Sequence, residues 1–366
     1  MKKSHLRLAA IKLFLIHSIF IFYTPLASAV TDCEPSEHYS FLCGMQNPED
    51  LVRVPDTDWI IASSMRPGGG LYLVDSGKKT WSEFDLGEKL KSRQDMDLYA
   101  ACPGPAVPGF VLTHGLHLRP GENQHSKLYV VVHGARESIE VFDVDASAAT
   151  PALSWLGCVL SPDGMQFNSV TSLADGSLLA TVPQLDMQPE VMPRLGDISG
   201  KVFRWSPGET GFSPVEGTEL PYPNGIEVSA DENEFYVASS GLFTVIAFTN
   251  TSPARVIRQS AKLAIVPDNL HMNDAGMLLT AGMLGADPVC GDISPTHALD
   301  IEAIVSCARP FQALTIDPAS LDFEVLASGP AHPQFSNFTM VLQLAGELWI
   351  GSFSSDRLAY QKPRGN

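Results

Sequence analysis

From residue 45 to its end the chain shows no convincing amphipathic helix, only short apolar runs set between turn residues. Trp59-Ile60-Ile61-Ala62, Gly70-Leu71-Tyr72-Leu73-Val74, Lys127-Leu128-Tyr129-Val130-Val131-Val132 and Glu140-Val141-Phe142-Asp143-Val144 are early examples. Ser177-Leu178-Leu179-Ala180-Thr181, Lys201-Val202-Phe203-Arg204-Trp205, Glu234-Phe235-Tyr236-Val237-Ala238 and Glu347-Leu348-Trp349-Ile350-Gly351 continue the series. Runs of this length, rich in β-branched and aromatic residues and fairly evenly spaced, predict an all-β architecture.

One phrase recurs: a run with an Asn or His, an Asp/Gly-type turn, then a second run. It reads Phe167-Asn168-Ser169-Val170 with the turn Asp175-Gly176, Asn224-Gly225-Ile226 with Asp231-Glu232, and Asp268-Asn269-Leu270-His271 with Asn273-Asp274-Ala275-Gly276. His114-Gly115-Leu116-His117 is a weaker copy with a longer turn. The steps from Asn168 to Asn224 to Asn269 are 56 and 45 residues, the length of a four-stranded propeller blade with its loops. At about 50–55 residues per blade the chain after a leader holds six blades. The expectation is one six-bladed β-propeller over residues 30–366. With 366 residues, 45% of them apolar and 18% charged, the chain can fill such a core, and all-β domains of this size exist as single units.

Residues 1–29 read as a secretory signal: Lys2, Lys3 and Arg7 lead into the apolar stretch Leu13 to Tyr23, and Ala27-Ser28-Ala29 offers a cleavage site. The apolar stretch is short for a membrane span, which needs about 20 residues; an uncleaved anchor is the alternative. No lipid-attachment cysteine follows closely, so the expected product is free in the periplasm or outside the cell. The formal charge of -17 becomes -21 once this segment is removed. Such a surface repels phosphate backbones and excludes nucleic acid as a partner. The six cysteines (Cys33, Cys43, Cys102, Cys158, Cys290, Cys307) all follow the signal and, in an exported chain, point to disulfides. Nearest-neighbour pairing is one of 15 possible connectivities.

In a propeller the equivalent start of each blade's inner strand faces the axis, so the repeated polar positions converge. They supply Asn168, Asn224, Asp268 and Asn269, and Glu49 in Pro48-Glu49-Asp50-Leu51 has the same phase. Two carboxylates and three amides form an all-oxygen set suited to Ca2+, which takes six to eight oxygens in irregular geometry. Zinc or copper would want His and Cys. Taken singly, each residue has an ordinary explanation: Asn224-Gly225 as a turn, Asp268-Asn269 as a loop cap, Glu49-Asp50 as solvated surface. Their shared phase is what joins them.

In these motifs the chain resembles the paraoxonase (serum arylesterase) family, within the six-bladed group that includes gluconolactonases and strictosidine-synthase-like proteins. Glu49-Asp50-Leu51, His114-Gly115-Leu116, Val130-Val131-Val132-His133 with Ser138-Ile139-Glu140-Val141-Phe142, Asn224-Gly225-Ile226 and Asp268-Asn269-Leu270 match its motifs in order. The resemblance implies a catalytic calcium on Glu49, Asn168, Asn224, Asp268 and Asn269, with His114 and His133 as a histidine dyad beside it. It also implies hydrolysis of small-molecule lactones or aryl esters by metal polarisation of the carbonyl and histidine-activated water. A second, structural calcium of that family would fall to Asp50 and the Leu116 carbonyl. Ser169 stands where the family has an Asp, which puts that second ion in doubt. The family also ties its N-terminal region to a C-terminal Cys, and no Cys follows Cys307, so ring closure would rest on strand pairing alone.

Competing readings are a sugar-lactone hydrolase, a non-catalytic binding propeller, and a zinc site on His114, His117 and His133. No Gly-x-Ser-x-Gly elbow, dinucleotide fingerprint or Walker loop is present. Asn250-Thr251-Ser252 and Asn337-Phe338-Thr339 fit the glycosylation pattern, and Gln184–Gly200 and Leu284–Pro310 are the loops expected over the channel mouth.

Overall fold

The structure is a computed structural model that describes residues 33–361, apart from 85, 87–89, 108, 110, 163–164 and 186–193. Residues 1–29, read above as a signal, and residues 186–193 of the Gln184–Gly200 loop lie outside the described residues. Among the described residues the strands form six sheets, five of four strands and one of five. This is the six-bladed, all-β propeller that the repeat spacing predicts.

The inner strands, in chain order, are Leu51–Arg53, Val111–Pro120, Val170–Ser172, Pro223–Val228, Leu270–Met272 and Phe338–Leu344. Each begins an antiparallel meander running outward from the axis. Strands in the middle of a blade lose both faces to neighbouring blades, which is why their sequences are continuous apolar runs and do not alternate. Leu71–Asp75 and Leu178–Val182 are buried at every residue, whereas the outer strands Thr80–Phe84 and Val256–Gln259 are largely exposed. The second blade is extended by Lys91–Ser92, which pairs in parallel with Ala152–Leu160. Among the described residues there is one short helix, Ile301–Ser306, in the loop Leu284–Pro310; Asp300 caps it by accepting from the Ala303 amide at 2.9 Å.

Ring closure does rest on strand pairing. Ser40–Cys43 forms the outermost strand of the sixth blade, antiparallel to Arg357–Gln361, with Ser40 opposite Tyr360 and Cys43 opposite Arg357. The disulfides are Cys33–Cys43, Cys102–Cys158 and Cys290–Cys307, the nearest-neighbour set. The first pins the closing strand at its end, the second ties a long crossing loop to the second blade, and the third staples the Leu284–Pro310 loop.

Candidate metal centre

In every blade the ladder between the first two strands becomes regular at one residue. These six are Leu51, Leu116, Val170, Ile226, Leu270 and Val341, all fully buried. Counting two residues back from each gives Glu49, His114, Asn168, Asn224, Asp268 and Thr339, one residue per blade. One residue back gives Asp50, Gly115, Ser169, Gly225, Asn269 and Met340. One residue forward gives Val52, His117, Thr171, Glu227, His271 and Leu342. The axis is therefore built in tiers, and the five expected ligands occupy the first two.

Packing between blades holds these backbones in place. Gly115 donates its amide to the Asn168 carbonyl (3.2 Å) and Gly225 to the Asp268 carbonyl (3.1 Å). A Cβ at Gly115 would lie 2.4 Å from the Asn168 carbonyl oxygen; one at Gly225 would lie 2.5–2.7 Å from backbone atoms of Asp268, Asn269 and Leu270. Asn224-Gly225 is thus no turn: it lies inside the strand Pro223–Val228, with glycine where the next blade's backbone comes in. Hydroxyls tighten the same ring, with Thr181 Oγ1 donating to the Asn224 carbonyl and Thr339 Oγ1 to the Glu49 carbonyl, each at 2.5 Å.

Of the five expected ligands, four interact as two pairs, Glu49 with Asn269 and Asp268 with Asn224. Asn269 Nδ2 donates to Glu49 Oε1 at 2.5 Å, and Asn224 hydrogen-bonds Asp268, whose charge is felt by Glu49. Asn168 stands at the same level on the third blade; its neighbour Ser169 joins it to Asn224 through the shared Thr181 hydroxyl. Glu49 Oε2 and the Oδ1 atoms of Asn168, Asn224 and Asn269 are buried oxygens without a hydrogen-bond partner, as is Ser169 Oγ. Each such orphan costs about 1–3 kcal/mol. Burial, then the neighbouring Asp50 and Asp268 charges, pushes the Glu49 carboxyl well above the usual range. Burial, opposed by the Asn224 hydrogen bond and reinforced by Asp50, raises Asp268 to about 7. Orphaned oxygens and mutually repelling carboxylates at one point are the environment that a hard cation relieves, so the donor set fits calcium.

Asp50 is engaged differently. Its Oδ2 accepts the Leu116 amide (2.7 Å), and its Oδ1 accepts from the Leu51 amide and His271 Nε2, both at 2.8 Å. The Leu116 amide, not its carbonyl, meets Asp50. With Ser169 in place of a carboxylate and Asp50 accepting three protein hydrogen bonds, the residues present do not favour a second ion. His271 fills this place: burial alone would lower it, but Asp50 and Glu227 outweigh burial and raise it to about 10. Glu227 in turn is held down to about 2, its burial outweighed by His271 and His117.

His114 and His133 form the expected pair, with His114 Nδ1 3.0 Å from His133 Nε2. His133 Nδ1 continues to Glu137 Oε2 at 2.5 Å. Burial, with the adjacent His133, pushes His114 down to about 3. His117 is not a third member of this group. It belongs to the lower tier, beside Thr171 and Glu227, and burial lowers it to about 4. Among the described residues no group of three or more His, Cys, Asp or Glu is arranged to hold a metal, which leaves the three-histidine zinc reading without support.

A cavity of about 740 Å³ opens at the opposite end of the inner strands from Glu49, lined by Val52, His117, Arg119, Glu227, His271 and Leu342 among others. Asn337 is fully buried, with Nδ2 donating to Ser354 Oγ, so a glycan there is incompatible with the fold. Asn250 is committed through both amide atoms, to Arg204 and to the Glu232 carbonyl. Sequence patterns missed Thr339 because the sixth blade offers neither Asn nor Asp at that position. They passed over Glu227 and His271, which end phrases whose earlier residues drew the ligand reading, and missed Glu137 because it follows no motif.

Solved structures share the fold. A gluconolactonase from Xanthomonas campestris is 15% identical, with 89% of each chain covered and a TM-score of 0.52. A luciferin-regenerating enzyme is 12% identical over 87% of this chain and 92% of its own, with a TM-score of 0.51. Regucalcin from Agrobacterium tumefaciens, described as a calcium-binding protein, is 10% identical over 90% of this chain and 94% of its own, at 0.51. No curated protein matches the chain. Residues 68–290 match the family model described as the SMP-30/Gluconolactonase/LRE-like region. That stretch is more than half of the sequence, and with the fold it settles the family: the chain belongs to the SMP-30/gluconolactonase/LRE-like proteins.

Proposed function

We propose that this protein is an exported, calcium-dependent hydrolase of small-molecule lactones and related esters. The observation that carries the reading is the cluster of partnerless buried oxygens on Glu49, Asn168, Asn224 and Asn269, next to the Asp268 carboxylate. These five residues would hold the ion. A bound calcium supplies a Lewis-acid contact for a carbonyl oxygen. The protein's own part is to keep His114 unprotonated at neutral pH, so that its ring can take a proton from water. His133 orients that ring through the 3.0 Å contact.

The motif resemblance favours aliphatic lactones or aryl esters, whereas the family match favours a sugar lactone. Export with cleavage near Ala29 is supported by three disulfides. No helix among the described residues is long and apolar enough to cross a membrane.

The test is metal analysis of the purified protein, followed by turnover of an aliphatic lactone, an aryl ester and a sugar lactone with and without a calcium chelator. Chelator-sensitive hydrolysis, with one substrate preferred, is expected. No turnover of any of the three would overturn the hydrolase reading and favour a binding propeller.

A further inference from the structure

The histidine pair does not end at His133. Glu137 sits in the turn between the strands His125–Gly134 and Ser138–Asp145, and its Oε2 lies 2.5 Å from His133 Nδ1. Its backbone is fixed by the Ser161 amide, which donates to the Glu137 carbonyl at 3.0 Å. The neighbouring cation is occupied elsewhere: Arg136 binds Glu140 at 2.7 Å and the Gly104 carbonyl at 2.7 Å. Gln166 Nε2 reaches Glu137 Oε1 at 3.4 Å. Exposure rises along the chain of contacts, from 9% for His114 to side-chain values of 14% for His133 and 23% for Glu137.

An ionised carboxylate only accepts hydrogen bonds, so the contact requires the His133 proton on Nδ1. His133 Nε2 is then an acceptor, and the 3.0 Å contact requires a proton on His114 Nδ1. His114 Nε2 is left with the lone pair. We infer that Glu137 is the positioning residue that fixes the tautomers of both histidines and carries their proton out to solvent. This rests on the hydrolase reading and deepens it. The transfer balances: one proton enters at His114 Nε2, the His114 Nδ1 proton passes to His133 Nε2, and the His133 Nδ1 proton passes to Glu137 Oε2. Glu137, the most exposed member, then returns it to water.

Two measurements test the inference separately. Nitrogen-15 NMR of the imidazoles in the resting protein should show both histidines protonated on Nδ1, and Glu137→Ala should mix the His133 tautomers. This readout needs no turnover, so it stands or falls independently of the hydrolase reading. On a lactone that the wild type hydrolyses, Glu137→Ala should lower kcat roughly 10–100-fold, the usual effect of losing an orienting carboxylate, with KM little changed. Glu137→Gln, which keeps an acceptor without the charge, should recover part of the loss. In a His133→Phe background, Glu137→Ala should have no further effect, because Glu137 acts only through His133. The inference is overturned if either histidine is protonated on Nε2 in the wild type. Unchanged kcat in Glu137→Ala, or an equal loss in the His133→Phe background, overturns it as well.

Discussion

Replacing Gly225 by alanine isolates the role of blade packing in the proposed metal centre, because it removes no donor. The new Cβ would sit 2.5 Å from the Leu270 amide nitrogen, 2.6 Å from the Asp268 carbonyl oxygen and 2.7 Å from the Asn269 carbonyl carbon. All three are backbone atoms, so no side chain can swing away. Ordinary contact needs roughly 0.8 Å more room. Calcium–oxygen bonds span only about 2.3–2.6 Å, so a displacement of that size takes Asp268 or Asn269 out of any shell that Glu49 and Asn224 still define. Overpacking of this kind costs about 1–3 kcal/mol. For a chain of this size that is a fall of roughly 2–5 °C in Tm. The assay is calcorimetric calcium titration after chelation, with melting curves in and out of calcium. Wild type at a hundredfold excess over Kd should gain about 2.7 kcal/mol; Gly225→Ala should gain markedly less, with affinity down at least tenfold. Gly211→Ala, where nothing lies within 4 Å of the new methyl, is the control. Wild-type calcium affinity in Gly225→Ala would refute the claim that glycine clearance sets the ligand positions.

Asn269→Ala removes one candidate donor and strips Glu49 Oε1 of its partner; a loss of about 1.5–3 kcal/mol, or ten- to a hundredfold in calcium affinity, should appear in the same titration. His114 has a folded pKa of about 3 against an unfolded value near 6.5, so between these limits the unfolded chain binds the extra proton and stability falls as pH falls. Melting curves from pH 7 to 4 at saturating calcium should therefore be less steep in pH for His114→Gln than for wild type, and parallel curves would contradict the assignment. Cys102→Ser with Cys158→Ser opens a loop of 56 residues and should cost up to about 4 kcal/mol in chemical denaturation, without altering calcium stoichiometry.

The fold was legible because each blade repeats one pattern, and a repeat carries its own phase. That phase, more than any single motif, joined Glu49, Asn168, Asn224, Asp268 and Asn269 across 220 residues of sequence. Where the phase is written in other residues it fails. Thr339 takes the sixth place with a hydroxyl that binds backbone, and its Asn337-Phe338-Thr339 context reads as a glycosylation signal although Asn337 is buried. Gly225 reads as a turn because sequence cannot show a neighbouring strand pressing on the same spot. The lower tier was misread for a related reason: of its members only His117 drew notice, and then as a zinc ligand. His117, Glu227 and His271 are three positions on from the first tier, and that they share one level shows only in the strand ladders, two of them bulged.

The seam between Ser40–Cys43 and Arg357–Gln361 gives the molecule the logic of a bracelet with a clasp. The first strand must wait, its end already bound back on the preceding residues by Cys33–Cys43, until the last one arrives. Until then the circle gapes and the hub has no fixed radius, so a cation cannot be gripped from all sides. Loading of the ion would follow fastening of the clasp, and a nick beside either half of the seam would loosen the hub at a distance.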